Sequence, residues 1–182
     1  MTDDTRERRI LGSLRSAGGK GVVRIEDRYD TDAVDLWSAI TDPQRLARWY
    51  GEIEGDLRPG GEFRVFLEGP GFYGAGRVEV CDPPRRLLVV ETETDETWRL
   101  GDGALVFDSS IEAVLTGEGD TTTLVIEARG MPLEKIAFYG VGWQLHAEHL
   151  AGYLAGNESI EDEAPRWEDL LPSYQDLAAR IG

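Results

Sequence analysis

Cysteine and histidine are both scarce in this sequence, which limits the chemistry it can carry. Cys81 is the one cysteine in 182 residues, so no internal disulfide forms and a cysteine-based zinc site is excluded. The two histidines, His146 and His149, do not form the His-Glu-x-x-His zinc pattern, and no other histidine completes a site. We therefore expect no metal and no cofactor, and the lone thiol fits a reducing, cytoplasmic compartment.

Long apolar runs are also missing. Unbroken apolar runs such as 87–90 are four residues long, whereas a transmembrane helix needs about 20. Residues 1–9 are polar and charged, without the apolar core of a secretory signal. These features predict a cytoplasmic protein without membrane insertion.

Basic residues are too few to balance the acidic ones. The chain has 19 lysines and arginines against 35 aspartates and glutamates, a formal net charge of −16. Such a charge repels phosphate backbones, so nucleic acid is not an expected partner.

The sequence does contain clear strand and helix patterns. Val23, Ile25 and Tyr29 share one face of a strand, and apolar residues recur at helical spacing over 133–155. Two short helices follow the first strand, and about six further strands precede the long helix. Consecutive strands joined by short turns predict an antiparallel sheet and an α+β fold. We divide the chain into a leader (1–20, with a short helix over 5–14), a domain (21–156) and an acidic extension (157–182) that contains a short helix.

Four segments then resemble the activator of heat-shock-protein-90 ATPase homologue 1-like family of the SRPBCC (START/Bet-v-1-like) superfamily. They are VDLWSAITDPQRLARWY (34–50), LRPGGEF (57–63), GRVEV running into DPPRRL (76–87), and GW (142–143) with Leu150 and Leu154. The resemblance covers about residues 22–156. It implies a helix-grip fold, in which a curved antiparallel sheet of about six to seven strands wraps around a long C-terminal helix.

The resemblance also implies an internal cavity, and aromatic side chains suit the walls of such a pocket because apolar area drives binding. Ala147 stands where the family more often has Leu, which enlarges a cavity beside the helix. The predicted pocket-lining residues are Tyr50, Phe66, Tyr73, Trp98, Tyr139, Trp143, His146 and Ala147. Most charged strand residues, including Glu91 and Glu93, are expected to face water. One that points inward is a catalytic or ligand-anchoring candidate.

Three functions fit the superfamily, because fold alone does not select among them. The first is binding of a small hydrophobic or aromatic molecule, without catalysis. The alternative is a cyclase or lyase-type enzyme acting on a polyketide-like or aromatic substrate, in which His146, Tyr73 and a buried carboxylate or arginine act; no catalytic residue is assigned from the pattern. A chaperone ATPase regulator ranks last, and a homodimer is slightly favoured over a monomer.

Overall fold

The computed structural model describes residues 9–67, 72–100, 103–157 and 163–181. Within these ranges the backbone forms one antiparallel sheet and four α-helices. The strands are β1 (Gly12–Ala17), β2 (Lys20–Tyr29), β3 (Glu52–Gly55), β4 (Glu62–Phe66), β5 (Phe72–Asp82), β6 (Arg86–Leu100), β7 (Gly103–Glu118) and β8 (Thr121–Met131). The helices are α1 (Ala33–Thr41), α2 (Pro43–Leu46), α3 (Ile136–Leu154) and α4 (Ala164–Ala178), and a 3-10 turn (Leu133–Lys135) precedes α3.

The sheet has the strand order β1-β2-β8-β7-β6-β5-β4-β3. Every neighbouring pair is antiparallel. The sheet curves around α3, and we call the face that meets α3 the inner face. The predicted helix-grip α+β fold is therefore confirmed, with eight strands in the described residues rather than six or seven.

The start of the chain differs from the prediction. Residues 12–17 form β1, a hairpin partner of β2, so a helix over 5–14 is wrong where the structure describes those residues. Gly18 and Gly19 have φ of 59° and 76°, and two consecutive positive φ values suit the tight turn of a two-residue hairpin. The leader thus extends the sheet by one strand.

Side-chain caps begin the first two helices. The Asp32 carboxylate accepts hydrogen bonds from the amides of Val34 and Asp35, which have no partner inside α1. Asp42 caps α2 in the same way, and Pro43 occupies its first position, where a missing N–H is harmless. These caps fix the turn that carries the chain from β2 across the inner face towards β3.

Helix α3 lies between the inner face and α4. Leu150 packs with Leu36, Leu115 and Ile126 on the sheet side, all of them buried. On the opposite side, Val141 and Leu145 pack against Leu170 and Tyr174 of α4. The long helix is therefore covered on both sides.

One buried amide on α3 connects both ends of the chain to this helix. The Gln144 side-chain oxygen accepts hydrogen bonds from the Leu11 amide (3.0 Å) and the Tyr174 hydroxyl (2.7 Å). Its nitrogen donates to the Arg9 carbonyl and to the Glu148 carboxylate, each at 2.8 Å. Since Gln144 has no solvent exposure, all of these bonds are needed to satisfy it.

Candidate functional site

A pocket of about 100 Å³ lies between the inner face of the sheet, the α1–α2 turn and α3. Its walls are almost entirely apolar, and one carboxylate, that of Glu91, is among the lining groups. The lining residues are Ile40, Thr41, Leu46, Trp49, Tyr50, Ile53, Leu57, Phe63, Val65, Val78, Leu87, Val89, Glu91, Ile111, Ala113, Ile126 and Trp143.

Three acidic side chains follow one another along the inner face of β6. Glu91, Glu93 and Asp95 are only 7%, 5% and 4% exposed, and we call them the inner acid row. They lie inside because the strand alternates: Val89 and Leu87, two and four residues before Glu91, also line the pocket. The sheet thus places buried acidic side chains next to an apolar pocket, and one of them, Glu91, lines it.

The first two members of the row have abnormal acidities. Burial, and then repulsion from Glu93, raises the pKa of Glu91 to about 8. Burial also raises the pKa of Glu93 to about 7, with a further increase from the charge of Asp95. The nearby Ser109 hydroxyl lowers it, with a larger effect than that of Asp95, but burial outweighs both. Near neutral pH the pair therefore holds at least one proton.

Two glycines on β5 make room for Glu91. A Cβ on Gly74 would lie 2.9 Å from Oε2 of Glu91. A Cβ on Gly76 would lie 2.8 Å both from the Glu91 Cβ and from the Phe63 ring. The Gly74-Ala75-Gly76 run therefore leaves space beside a buried carboxylate and an aromatic ring.

Aromatic rings from α3 and from the segment after α2 meet at the pocket. The Tyr50 ring lies 4.8 Å from the His146 ring and 6.2 Å from the Trp143 ring, measured between centroids. Burial raises the pKa of Tyr50, and the charges of Glu91 and Glu93 raise it further. Tyr50 thus lies within electrostatic reach of the inner acid row.

His146 is neutral in this setting. Burial lowers its pKa to about 3, with a smaller contribution from His149. Its Nδ1 is buried without a hydrogen-bond partner among the residues that the structure describes. The imidazole therefore presents an unused polar atom next to Tyr50 and Trp143.

The last member of the acid row contacts α3 directly. The Tyr139 hydroxyl donates to Oδ2 of Asp95 over 3.4 Å, a long hydrogen bond. Burial, and then the charges of Asp95 and Glu93, raises the pKa of Tyr139. This tyrosine remains a neutral donor throughout the physiological range.

Four of the sequence-predicted pocket residues lie at the pocket or beside the inner acid row. Tyr50 and Trp143 line the pocket, and His146 contacts both rings. Tyr139 lies beside Phe107, with 5.5 Å between ring centroids, where it reaches the acid row.

The remaining predicted residues lie elsewhere. Phe66 and Tyr73 are cross-strand neighbours on the outer face, 41% and 40% exposed, because the alternation of β4 and β5 turns them away from α3. Ala147 is on α3, where its side chain is buried in the core, and its carbonyl accepts a hydrogen bond from the Tyr29 hydroxyl. Trp98 is on β6, but its side chain lies outside the described residues.

Glu91 and Glu93 were expected at the surface, and the structure places both inside. A usable signal was the spacing in Leu87, Val89, Glu91 and Glu93, which share one face of an uninterrupted strand. That signal was masked because Leu88 and Val90, on the other face, are apolar too.

Metal coordination and a membrane-spanning helix find no support in the described part of the chain. No group of three histidine, cysteine, aspartate or glutamate side chains has a geometry that holds a metal ion there. Cys81 is half-buried, and burial raises the pKa of its thiol, which disfavours the reactive thiolate. None of the helices in these ranges is both long and apolar enough to cross a bilayer.

A curved antiparallel sheet wrapped around a long C-terminal helix defines a helix-grip protein. The profile of the Activator of Hsp90 ATPase homolog 1-like family matches residues 30–155. The chain therefore belongs to that family, as its sequence motifs predicted. No functionally curated protein is similar enough to match it.

Solved structures of similar proteins share this architecture. The crystal structure of CalU16 from Micromonospora echinospora is 28% identical, with a TM-score of 0.69 over 92% of this chain and 96% of that one. Its solution NMR structure is 26% identical, with a TM-score of 0.71 over the full length of both chains. DynU16, a protein of the dynemicin biosynthetic locus, is 28% identical with a TM-score of 0.65, over 78% of this chain and 50% of that one.

Proposed function

We propose that this protein binds a small hydrophobic or aromatic molecule in the pocket between the sheet and α3. The observation that carries the proposal is the pocket itself, an apolar space with aromatic walls and a single carboxylate. Sites of this composition bind small molecules because apolar area supplies affinity while a few polar groups orient the ligand. The similarity to a protein of a biosynthetic locus supports a small-molecule ligand.

The volume limits the ligand. An apolar cavity of about 150 Å³ accommodates benzene, so a pocket of about 100 Å³ takes a group no larger than one ring. Trp49 and Tyr50 line the pocket with neighbouring rings, whose centroids lie 5.5 Å apart.

Thermal unfolding with one-ring apolar compounds tests this proposal. A ligand at about ten times its Kd stabilises the folded state by about 1.4 kcal/mol, which raises the Tm by roughly 3–6 °C in a chain of this size. Ala113→Leu is the matched control, because Ala113 lines the pocket and a larger side chain fills it. Equal Tm shifts in the wild type and this variant, or no shift with any compound, would contradict the proposal.

Acid–base catalysis on a ring-sized substrate is a second candidate, favoured by the carboxyl of Glu91 inside the pocket. A general acid or base works best when its pKa lies near the working pH, and the pKa of Glu91 is about 8. Such a group could remove a proton next to a carbonyl, as cyclase and lyase chemistry requires.

Hydrogen–deuterium exchange tests the catalytic candidate without knowledge of the natural substrate. Cyclohexanone in deuterated buffer exchanges the protons next to its carbonyl, and NMR follows the rate. We expect the wild type to accelerate exchange and Glu91→Gln to lose the acceleration, because an amide is a poor base. An identical rate in both proteins removes this candidate and leaves the binding function intact.

A further inference from the structure

The pocket contains a carboxyl group that has no cationic partner in the described part of the chain. Glu91 is 93% buried and lines the pocket, yet it makes no hydrogen bond and no ion pair with any residue that the structure describes. Glu93, the next residue on the same face, likewise has no ion pair within these ranges. A buried carboxylate is costly unless it is paired, so its position in a binding site points to a partner in the ligand.

Resting on the proposed binding function, we propose that the ligand carries a protonated amine on its apolar body and that Glu91, with Glu93 beside it, receives this amine. An ammonium group supplies the missing positive charge and up to three N–H donors. The apolar walls then hold the rest of the ligand.

The groups that surround Glu91 suit a cation. Within the described residues, Glu91 lies opposite Ser109 on β7, against Gly74 and Gly76 on β5, and within electrostatic reach of Glu93 and Tyr50. Beyond these, Asp95 and Tyr139 act on Glu93, and His146 contacts the Tyr50 ring. None is positively charged near neutral pH, since burial keeps His146 neutral. Replacing Gly74 by any larger residue would fill the space next to Oε2 of Glu91, so the glycine leaves that oxygen accessible.

The aromatic rings add to the same preference. Trp143 lines the pocket together with Tyr50, and ring faces attract cations through their quadrupoles. The neutral His146 ring contacts both of these rings and adds no positive charge. The pocket lining therefore contains one carboxyl group and, in the described residues, no cationic side chain.

Two probes of the same shape test the charge preference. Benzylamine is cationic at neutral pH and benzyl alcohol is neutral, and each has one ring. Titration of the full chain, followed through its backbone amide NMR signals, gives both affinities. We expect the wild type to bind benzylamine about tenfold to a hundredfold more tightly than benzyl alcohol, the usual advantage of a charge-assisted hydrogen bond.

Glu91→Gln removes the charge and keeps the shape. We expect this variant to lose the preference for benzylamine and to bind benzyl alcohol as the wild type does. Glu96→Gln is the matched control, because Glu96 is on the same strand but exposed. It should leave both affinities unchanged. Since the glutamine removes a buried acid, the variant folds, and its dispersed amide spectrum verifies this.

The pH dependence gives a second, independent readout. A bound cation displaces the proton that Glu91 holds, so affinity for benzylamine should rise about a hundredfold between about pH 5.5 and about pH 8, while that for benzyl alcohol stays level. Benzyl alcohol binding as well as benzylamine, or an amine affinity that is level with pH, overturns the amine proposal but not the binding function. If neither probe shifts the amides of the pocket, both proposals fail.

Discussion

The two faces of the sheet differ in whether their buried or partly buried carboxylates have arginine partners. On the outer face, Glu112 accepts from Arg86 at 2.7 Å and from Arg129 at 2.8 Å, and Glu127 pairs with Arg129 and with Arg15 at 2.8 and 2.6 Å. We call these two glutamates the outer acid pair. The inner acid row lies on the other side of the same sheet, and its Glu91 and Glu93 have no such arginine in the described residues.

The pKa of each of these glutamates depends on the groups around it. Hydrogen bonds from Arg129 and Arg86 lower the pKa of Glu112, whereas burial without a cation raises those of Glu91 and Glu93. The outer acid pair is an ordinary source of modest stability at the surface. Glu91 and Glu93 oppose folding when they are charged. Ionisable side chains with pKa values shifted in this way are common at functional sites.

The largest expected effect is a loss of stability as the pH rises. Folded Glu91 and Glu93 hold their protons above the ordinary glutamate pKa of 4.5, so ionising them favours the unfolded chain. Their stabilising contribution is complete below about pH 4.5 and is lost as the pH rises through about 7 and 8. His146 acts in the opposite sense below its ordinary pKa of 6.5, because its neutral form is the buried one.

The steepest fall should therefore lie between about pH 6.5 and about pH 8, where the free energy of unfolding decreases by about 2–3 kcal/mol. Urea unfolding at a series of pH values measures it. A free energy of unfolding that rises over this interval would show that the inner acid row is neutralised by another group.

Glu91→Gln should remove about half of this pH dependence, because one of the two titrating groups is lost. The advantage in stability of the variant over the wild type should be about 2 kcal/mol larger at about pH 8 than at about pH 6, because over this interval Glu91 keeps its proton only in the folded wild type. Urea unfolding at these two pH values measures the difference. Equal stability at both values would mean that Glu91 is not the group that titrates.

Glu112→Gln should have the smallest effect and the opposite sign. The Glu112 side chain is 18% exposed, and its loss should cost about 0.5–1 kcal/mol at neutral pH, less at high salt. Because its pKa is lowered, the contribution is present above about pH 4.5 and is lost as the pH falls through the acid range. A loss that instead grew between about pH 6.5 and pH 8 would erase the contrast between the two faces.

The fold was largely predictable because it depends on local patterns. Alternation identified the inner face of β2, and helical spacing over 133–155 identified α3. The misplaced element was the start of the chain, where one face of β1 holds Leu14 and glycines follow. With so few apolar residues, a short strand and a short helix give the same signal, and only the pairing with β2 decides between them.

The site was less predictable, because it depends on which way each side chain points. A tyrosine at 50 and one at 73 look equally suitable in sequence, yet the first lines the pocket and the second lies on the outer face. The expectation that glutamates face water rests on the cost of burying a charge. At Glu91 the continuity of β6 overrides that cost, and the apolar residues on both faces of the strand hide the spacing that would indicate it.

Gln144 has a consequence for the order in which the molecule assembles. Its side chain bonds to Leu11, which is 133 residues earlier in the chain, and to Tyr174, which is 30 residues later. During synthesis, the segment leading into β1 gains this partner only after most of the protein has been made. Contacts of such long sequence separation slow folding, because a long loop must close before they form. The segment leading into β1 thus gains its bond to α3 late, although its hairpin with β2 is local.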